Sequence, residues 1–163
     1  IAIILAAETC PELVHKLILI DAQGFIDSKG PSSLPTVFAK LGVNVLKSTP
    51  LRMFANYIAY SNKALATPDA MKIGRLHCLL PSWETNSVQF VLSGGFVVSD
   101  KVPRVQQDTL VLWGRNDEIL EPAFASRFEE VLPSCKLQWV EDCGHVPHLE
   151  QPDEAAEAIL KFL

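Results

Sequence analysis

The sequence predicts an α/β fold built on mostly parallel strands, and three observations carry that prediction. Leu17-Ile18-Leu19-Ile20, Leu110-Val111-Leu112-Trp113 and Leu137-Gln138-Trp139-Val140 are apolar runs of strand length. They lack the alternation of a half-solvated sheet, as strands covered on both faces do. Helix candidates follow them, giving the strand–helix–strand–helix order of this class. A chain of 163 residues with 48% apolar and 20% charged residues is of single-domain size and globular composition.

Taken in order, Ile1 to Ala7 reads as an amphipathic helix that Pro11 stops. The first strand follows and is closed by Asp21. From about Gly24 to Val102 the rhythm breaks into helices, a stretch of roughly 75 residues and far beyond ordinary loop length. Ser33, Thr49, Thr67 and Ser82 stand where helix N-caps would, with Pro50 and Pro68 one position later. Leu34, Phe38, Leu41 and Val45 step as one apolar stripe, and Leu51, Phe54 and Ile58 repeat the pattern. Gly94-Gly95 closes the last of these helices. After the second strand, closed by Gly114, Pro122 to Leu132 places Phe124, Phe128 and Val131 at helical spacing. The third strand runs into Glu141 and Asp142. Pro152 to Leu163 then opens with a proline and two acids suited to a first helical turn.

Several function classes are excluded. Nineteen acids against fourteen bases give a net charge of −5, and no cluster of Lys and Arg offers a nucleic-acid footprint. The longest strongly apolar run, Ile1 to Ala7, falls far short of the roughly 20 residues that span a bilayer. It also has no basic flank, which argues against a signal peptide. Four cysteines in a chain this long do not make a disulfide scaffold, so reduced thiols in an intracellular protein, of the cytoplasm or an organelle such as a plastid, are expected. Nothing in the residues fixes an oligomeric state. The chain starts at Ile1, without Met and inside a helical pattern, which reads as a piece of something longer.

Two residues stand where sheets of this kind place their chemistry, just past the carboxyl ends of strands. Asp117 lies in Trp113-Gly114-Arg115-Asn116-Asp117, and His145 in Asp142-Cys143-Gly144-His145, where Gly144 is expected to permit an unusual turn. Either alone is an ordinary turn acid or surface imidazole. Together, at the tips of neighbouring strands, they can act as a base and the acid that orients it. Asp21 also ends a strand and is a second place for the acid, though a cap on the loop leaving that strand is the plainer reading. Glu118 and Glu121 read as solvated acids. Cys143, His145 and His148 offer three metal-ligating side chains but no fourth at zinc spacing, so no metal is expected. His148 is expected to make a structural hydrogen bond, and Cys10 and Cys78 to fill small apolar gaps.

Leu19-Ile20-Asp21, Leu112-Trp113-Gly114-Arg115-Asn116-Asp117 and Gly144-His145-Val146-Pro147-His148-Leu149-Glu150-Gln151-Pro152 form a linked set across the chain. In these motifs the sequence resembles the C-terminal half of the α/β-hydrolase superfamily. The resemblance implies that Asp117 is the triad acid and His145 the general base. It also implies a partial hydrolase core over residues 1–23 and 103–163 and an all-helical cap over 24–102. No Gly-x-Ser-x-Gly elbow is present: Ser93-Gly94-Gly95 has Val91 at the first glycine position, and Gly30-Pro31-Ser32-Ser33-Leu34 lacks the second. The expectation is therefore a C-terminal fragment, inactive alone, with sheet surface and a strand edge exposed and its nucleophile upstream of Ile1.

The parent protein is expected to cleave an ester-like or carbon–carbon bond of a small, mainly apolar molecule by a Ser-His-Asp triad. No metal or organic cofactor is implied. An Asp nucleophile would make it an epoxide hydrolase or dehalogenase instead, and a ligand receptor without turnover is a third reading of the same fold. Among Phe25, Phe38, Phe54, Tyr57, Trp83, Phe90 and Phe96, most are expected in the core of the cap, with Phe25 and Trp83 facing substrate.

Overall fold

A computed structural model of the chain describes residues 1–27 and 33–163. The near-elbow at Gly30-Pro31-Ser32 lies outside the described residues. Two compact units emerge. One comprises Ile1–Ile26, Ala59–Asn62 and Val98–Leu163; the other comprises Asp27–Ile58 and Lys63–Val97. The four-residue segment Ala59–Asn62 thus belongs with the sheet, although it was expected inside an unbroken helical region.

The first unit is an α/β layer structure. Strands β1 (Lys16–Ile20), β2 (Asp108–Gly114) and β3 (Cys135–Val140) form a parallel sheet in the order β1-β2-β3. Ile18 stands opposite Leu110, and Leu112 opposite Gln138. Because β2 pairs on both sides, every residue from Thr109 to Gly114 is buried. Alternate β2 side chains serve two faces. Val111 and Trp113 join Leu17, Leu19, Ile3, Ala6, Ala125 and Phe128 in one cluster. Leu112 joins Val140, Cys143 and Ala155 in another. The third run departs from its expected burial: only Val140 is fully buried in β3, while Leu137 and Trp139 pack half-buried against the first cluster.

Helices cover these faces. The N-terminal helix α1 (Ala2–Ile4) continues as a π turn, Leu5–Thr9, and ends at Cys10, before Pro11 as expected. Helix α6 (Ala123–Val131) puts Ala125 and Phe128 into the first cluster, and α8 (Pro152–Phe162) puts Ala155 into the second. Helix α6 follows β2 and α8 follows β3, with a short α7 (Pro147–Glu150) between β3 and α8.

The second unit is helical, built from α2 (Thr36–Lys47), α3 (Thr49–Ala59, whose last residue belongs with the sheet unit), α4 (Pro68–Arg75) and α5 (Trp83–Ser93). Of the expected caps, Thr67 accepts a hydrogen bond from the Ala70 main chain (3.1 Å). Ser82 stands at its cap position without a side-chain bond, Thr49 is the first helical residue, and Pro35 rather than Ser33 precedes α2. Gly94 takes the left-handed conformation (φ 84°) that ends α5, and the Gly95 N–H donates to Phe90 O (3.0 Å). The stripe Leu34, Phe38, Leu41 and Val45 is not the buried face of its helix. Small Ala39 and Val43 pack against Val88 instead, and the large residues line an open groove of about 500 Å³. Close approach of α2 and α5 favours the small side chains at their contact. Among the described residues, no helix is long and apolar enough to cross a membrane.

Candidate active site

Beyond the tip of β2 the chain turns tightly, with the Asp117 N–H on Gly114 O (3.3 Å). Asp117 Oδ1 accepts main-chain hydrogen bonds from Ile119 (2.7 Å) and Leu120 (3.0 Å), the local capture of backbone donors that suits Asp to such turns. Its Oδ2 bonds His145 Nδ1 at 2.8 Å. The Asp117 side chain is 0% exposed and that of His145 25% exposed. Burial alone would raise the Asp117 pKa. The hydrogen bonds from His145, Leu120 and Ile119 outweigh it and hold the carboxyl below its ordinary value. An ionised carboxylate has no proton to donate, so His145 presents Nδ1–H to it and leaves Nε2 as the free lone pair.

The imidazole is fixed from the main chain as well. The His145 N–H donates to Ala59 O (2.7 Å). At Gly144 a Cβ would stand 2.5 Å from that same carbonyl oxygen, so glycine is needed for close approach rather than for an unusual turn. The left-handed residue of this loop is Asp142 (φ 50°). A Cβ at Gly114 would run into Gly144 O, so the two strand tips meet only through glycines. Burial pushes the His145 pKa down, but the hydrogen bond and charge of Asp117, with the charge of Asp21, reverse the direction and leave it raised.

Glu150 is the site residue that pattern reading did not single out. Buried at the end of α7, it accepts main-chain hydrogen bonds from Gly144 (Oε2, 2.7 Å), Ser61 (Oε2, 3.0 Å) and Asn62 (Oε1, 2.5 Å). Asn116 Nδ2 donates to Ser61 Oγ (3.0 Å), and the Asn116 N–H to Cys143 O (2.9 Å). Segment 59–62 is therefore stitched to both loops that carry the pair. The signal was the one acid between Gly144 and Pro152; two of its three partners, Ser61 and Asn62, lie some 90 residues away in sequence and leave no local trace.

The other candidates are placed as follows. Asp21 Oδ1 accepts the Gly114 N–H (2.9 Å) rather than capping its own loop. Glu118 and Glu121 are exposed. Asp21, Asp117 and His145 bring donor atoms within 4.8 Å of one another, and Cys143 and His148 do not join that group among the described residues. Two of the three are already each other's hydrogen-bond partners. His148 is exposed on α7, its pKa lowered by local burial and by the His145 charge, while Glu150 makes the anchoring bonds expected of it. All four cysteines are free, and Cys78 is buried beside Arg52 (3.2 Å).

Phe25 packs its ring on Phe128 (centroids 4.6 Å apart) and lies under the Arg127 guanidinium (4.3 Å). That is a core position of the sheet unit, unlike the substrate-facing one expected. Trp83 lines an open groove of about 750 Å³ within the helical unit, together with Val43, Leu80, Phe90 and Phe96. Most of the other aromatics of that unit, Phe38, Phe54 and Tyr57 among them, are exposed rather than core.

Residues 2–158 match the family model described as the alpha/beta hydrolase family. The chain belongs to that family. It is 38% identical over 156 residues to the alpha/beta hydrolase domain-containing protein VTE7 of Arabidopsis thaliana, covering 94% of this chain and 47% of that protein. It is 28% identical over 161 residues to Lipase 1 of Psychrobacter immobilis, covering 93% and 49% respectively. A meta-cleavage product hydrolase from Pseudomonas fluorescens shares the fold, with TM-score 0.71 at 18% identity over 99% of this chain and 59% of that one. The chain thus spans about half the length of these curated relatives. Its parallel sheet with flanking helices is the α/β-hydrolase architecture expected from the motifs.

Proposed function

We propose that this chain supplies the base and the acid of a Ser-His-Asp hydrolase, with the nucleophile on a segment outside these 163 residues. One observation carries the reading: a fully buried Asp117 holds a partly exposed His145 by a 2.8 Å hydrogen bond at adjacent parallel strand tips. In the proposed reaction His145 Nε2 takes the serine proton as the hydroxyl attacks a carbonyl carbon. It then returns that proton to the leaving group. Asp117 keeps the tautomer and stabilises the imidazolium. A water deprotonated by the same nitrogen releases the acyl group.

The substrate is proposed to be a small, mainly apolar ester or a molecule with a cleavable carbon–carbon bond beside a carbonyl. A lipase among the similar proteins supports the ester member of that class. The helical unit, Asp27–Ile58 with Lys63–Val97, is proposed to act as the cap that selects it, with Trp83 in its apolar lining.

The test is turnover of apolar acyl esters by the protein that carries this chain together with its nucleophile. His145→Gln is expected to abolish it while circular dichroism stays unchanged, and near-normal activity would overturn the assignment. Trapping the intermediate on a seryl residue supports the serine reading; an aspartyl ester replaces it with the epoxide or halide chemistry.

A further inference from the structure

Of the two deeply buried acids the proposed reaction does not use, Glu150 is spoken for by three main-chain N–H groups, and Asp21 is not. Asp21, 4% exposed, sits at the tip of β1 in the left-handed region (φ 40°). Its N–H continues the sheet by donating to Leu112 O (3.0 Å), and its Oδ1 accepts the Gly114 N–H (2.9 Å). Its Oδ2 is buried with no hydrogen-bond partner. Asp21, Asp117 and His145 bring polar atoms within 4.8 Å of one another. As a carboxylate, Asp21 would leave a charged oxygen dry and set a second negative charge against Asp117, both costly in a buried site. Protonation removes both costs. The proton makes Oδ2 a donor, and the neighbouring acceptor with negative charge is Asp117.

We propose that Asp21 is a positioning residue, held as the neutral acid and directed at the Asp117 carboxylate, so that a single negative charge faces His145. It touches the acid of the pair and not the substrate, and the inference rests on the triad reading only for its catalytic consequence. Burial pushes the Asp21 pKa up to about 7. The Gly114 hydrogen bond and the His145 charge oppose this, and the charge of Asp117 adds to it. The titratable groups around it are Asp117 beyond β2, and His145 and Cys143 beyond β3. Asp117 stays ionised below its ordinary range, and the Cys143 thiol is pushed up to about 12, first by burial and then by Glu150 and Asp21, so it stays neutral. That leaves Asp21 and His145 to titrate against each other. As pH rises and Asp21 ionises, its charge raises the His145 pKa, keeping the imidazole protonated and withholding the base. The base is therefore released over a broad interval rather than in a single one-proton step.

Nuclear magnetic resonance of the full chain tests this without needing turnover. The Asp21 carboxyl carbon is expected to shift with a midpoint near neutrality. A resonance already at its ionised position at pH 5 would overturn the proposal, and this measurement needs no variant. The His145 ring nitrogens are expected to titrate over a broadened range in the unmutated chain and in one step in Asp21→Asn. An identical titration in both would overturn the coupling. In the nucleophile-bearing protein, Asp21→Asn, which keeps a neutral donor, is expected to retain roughly ten times the kcat/KM of Asp21→Ala at pH 6, the effect of about one pKa unit on the base. Equal loss in both would reduce Asp21 to a packing role. Activity surviving His145→Gln would sink the triad while leaving the Asp21 titration readable.

Discussion

The sheet unit and the helical unit spend their apolar residues in opposite ways. In β2, Leu110, Val111, Leu112 and Trp113 are completely buried, and Phe128 of α6 closes over Val111 and Trp113 with its ring 6.3 Å from that of Trp113. In the helical unit the large side chains lie outward: Phe38 is 57% exposed, and Leu41, Val45 and Phe54 are likewise exposed, while Ala39, Val43 and Val88 form a small core. A rigid core lets the first unit hold two strand tips close enough for a hydrogen-bonded acid and base. The second unit keeps apolar surface in reserve, which suits grooves for apolar molecules more than the positioning of charges.

This contrast can be broken or sharpened by mutation, and the largest effect belongs to the pair itself. Asp117→Asn is expected to lower kcat of the nucleophile-bearing protein by ~10⁴-fold, since an amide favours the wrong imidazole tautomer; steady-state kinetics check it. Phe128→Ala should cost about 3–5 kcal/mol in denaturant unfolding, because the aromatic cluster with Phe25 and Trp113 cannot collapse around the gap. Glu150→Ala strands three buried or half-buried N–H groups and should cost about 2–3 kcal/mol. It should also expose the Gly144 and Ser61 amides to hydrogen exchange, whereas a loss of stability without that local exchange would contradict the stitching role. Phe38→Ser should change stability by less than about 0.5 kcal/mol. A large loss there would mean the outward stripe is packed after all, and the contrast would fail.

The legibility of the chain divides along the same line. Strands β1 and β2 and the helices flanking them are readable because continuous apolar runs and helical spacing are local signals, and strand-end motifs likewise mark Asp117 and His145 as candidates. The sequence places Ala59–Asn62 in the helical region because nothing in those residues announces three contacts about 90 positions away. The α2 stripe misled for a related reason. Spacing shows that large apolar residues share a face, but the close approach of α5 selected the face carrying Ala39 and Val43. Phe25 looked like a pocket residue because an aromatic at the border of a predicted cap has no sequence mark to distinguish it from core.

The order of residues therefore determined the class of fold, the sites of the strand tips and the identities of Asp117 and His145, since these depend on side-chain type and short-range periodicity. Tertiary structure alone decided that the two side chains meet at 2.8 Å, that Glu150 ties a distant segment to them, and that Asp21 is buried with an oxygen unpartnered. Burial and hydrogen-bond partnership are properties of neighbours in space. They arise only when the sheet brings residues 21, 117 and 145 together, and no local pattern can encode them.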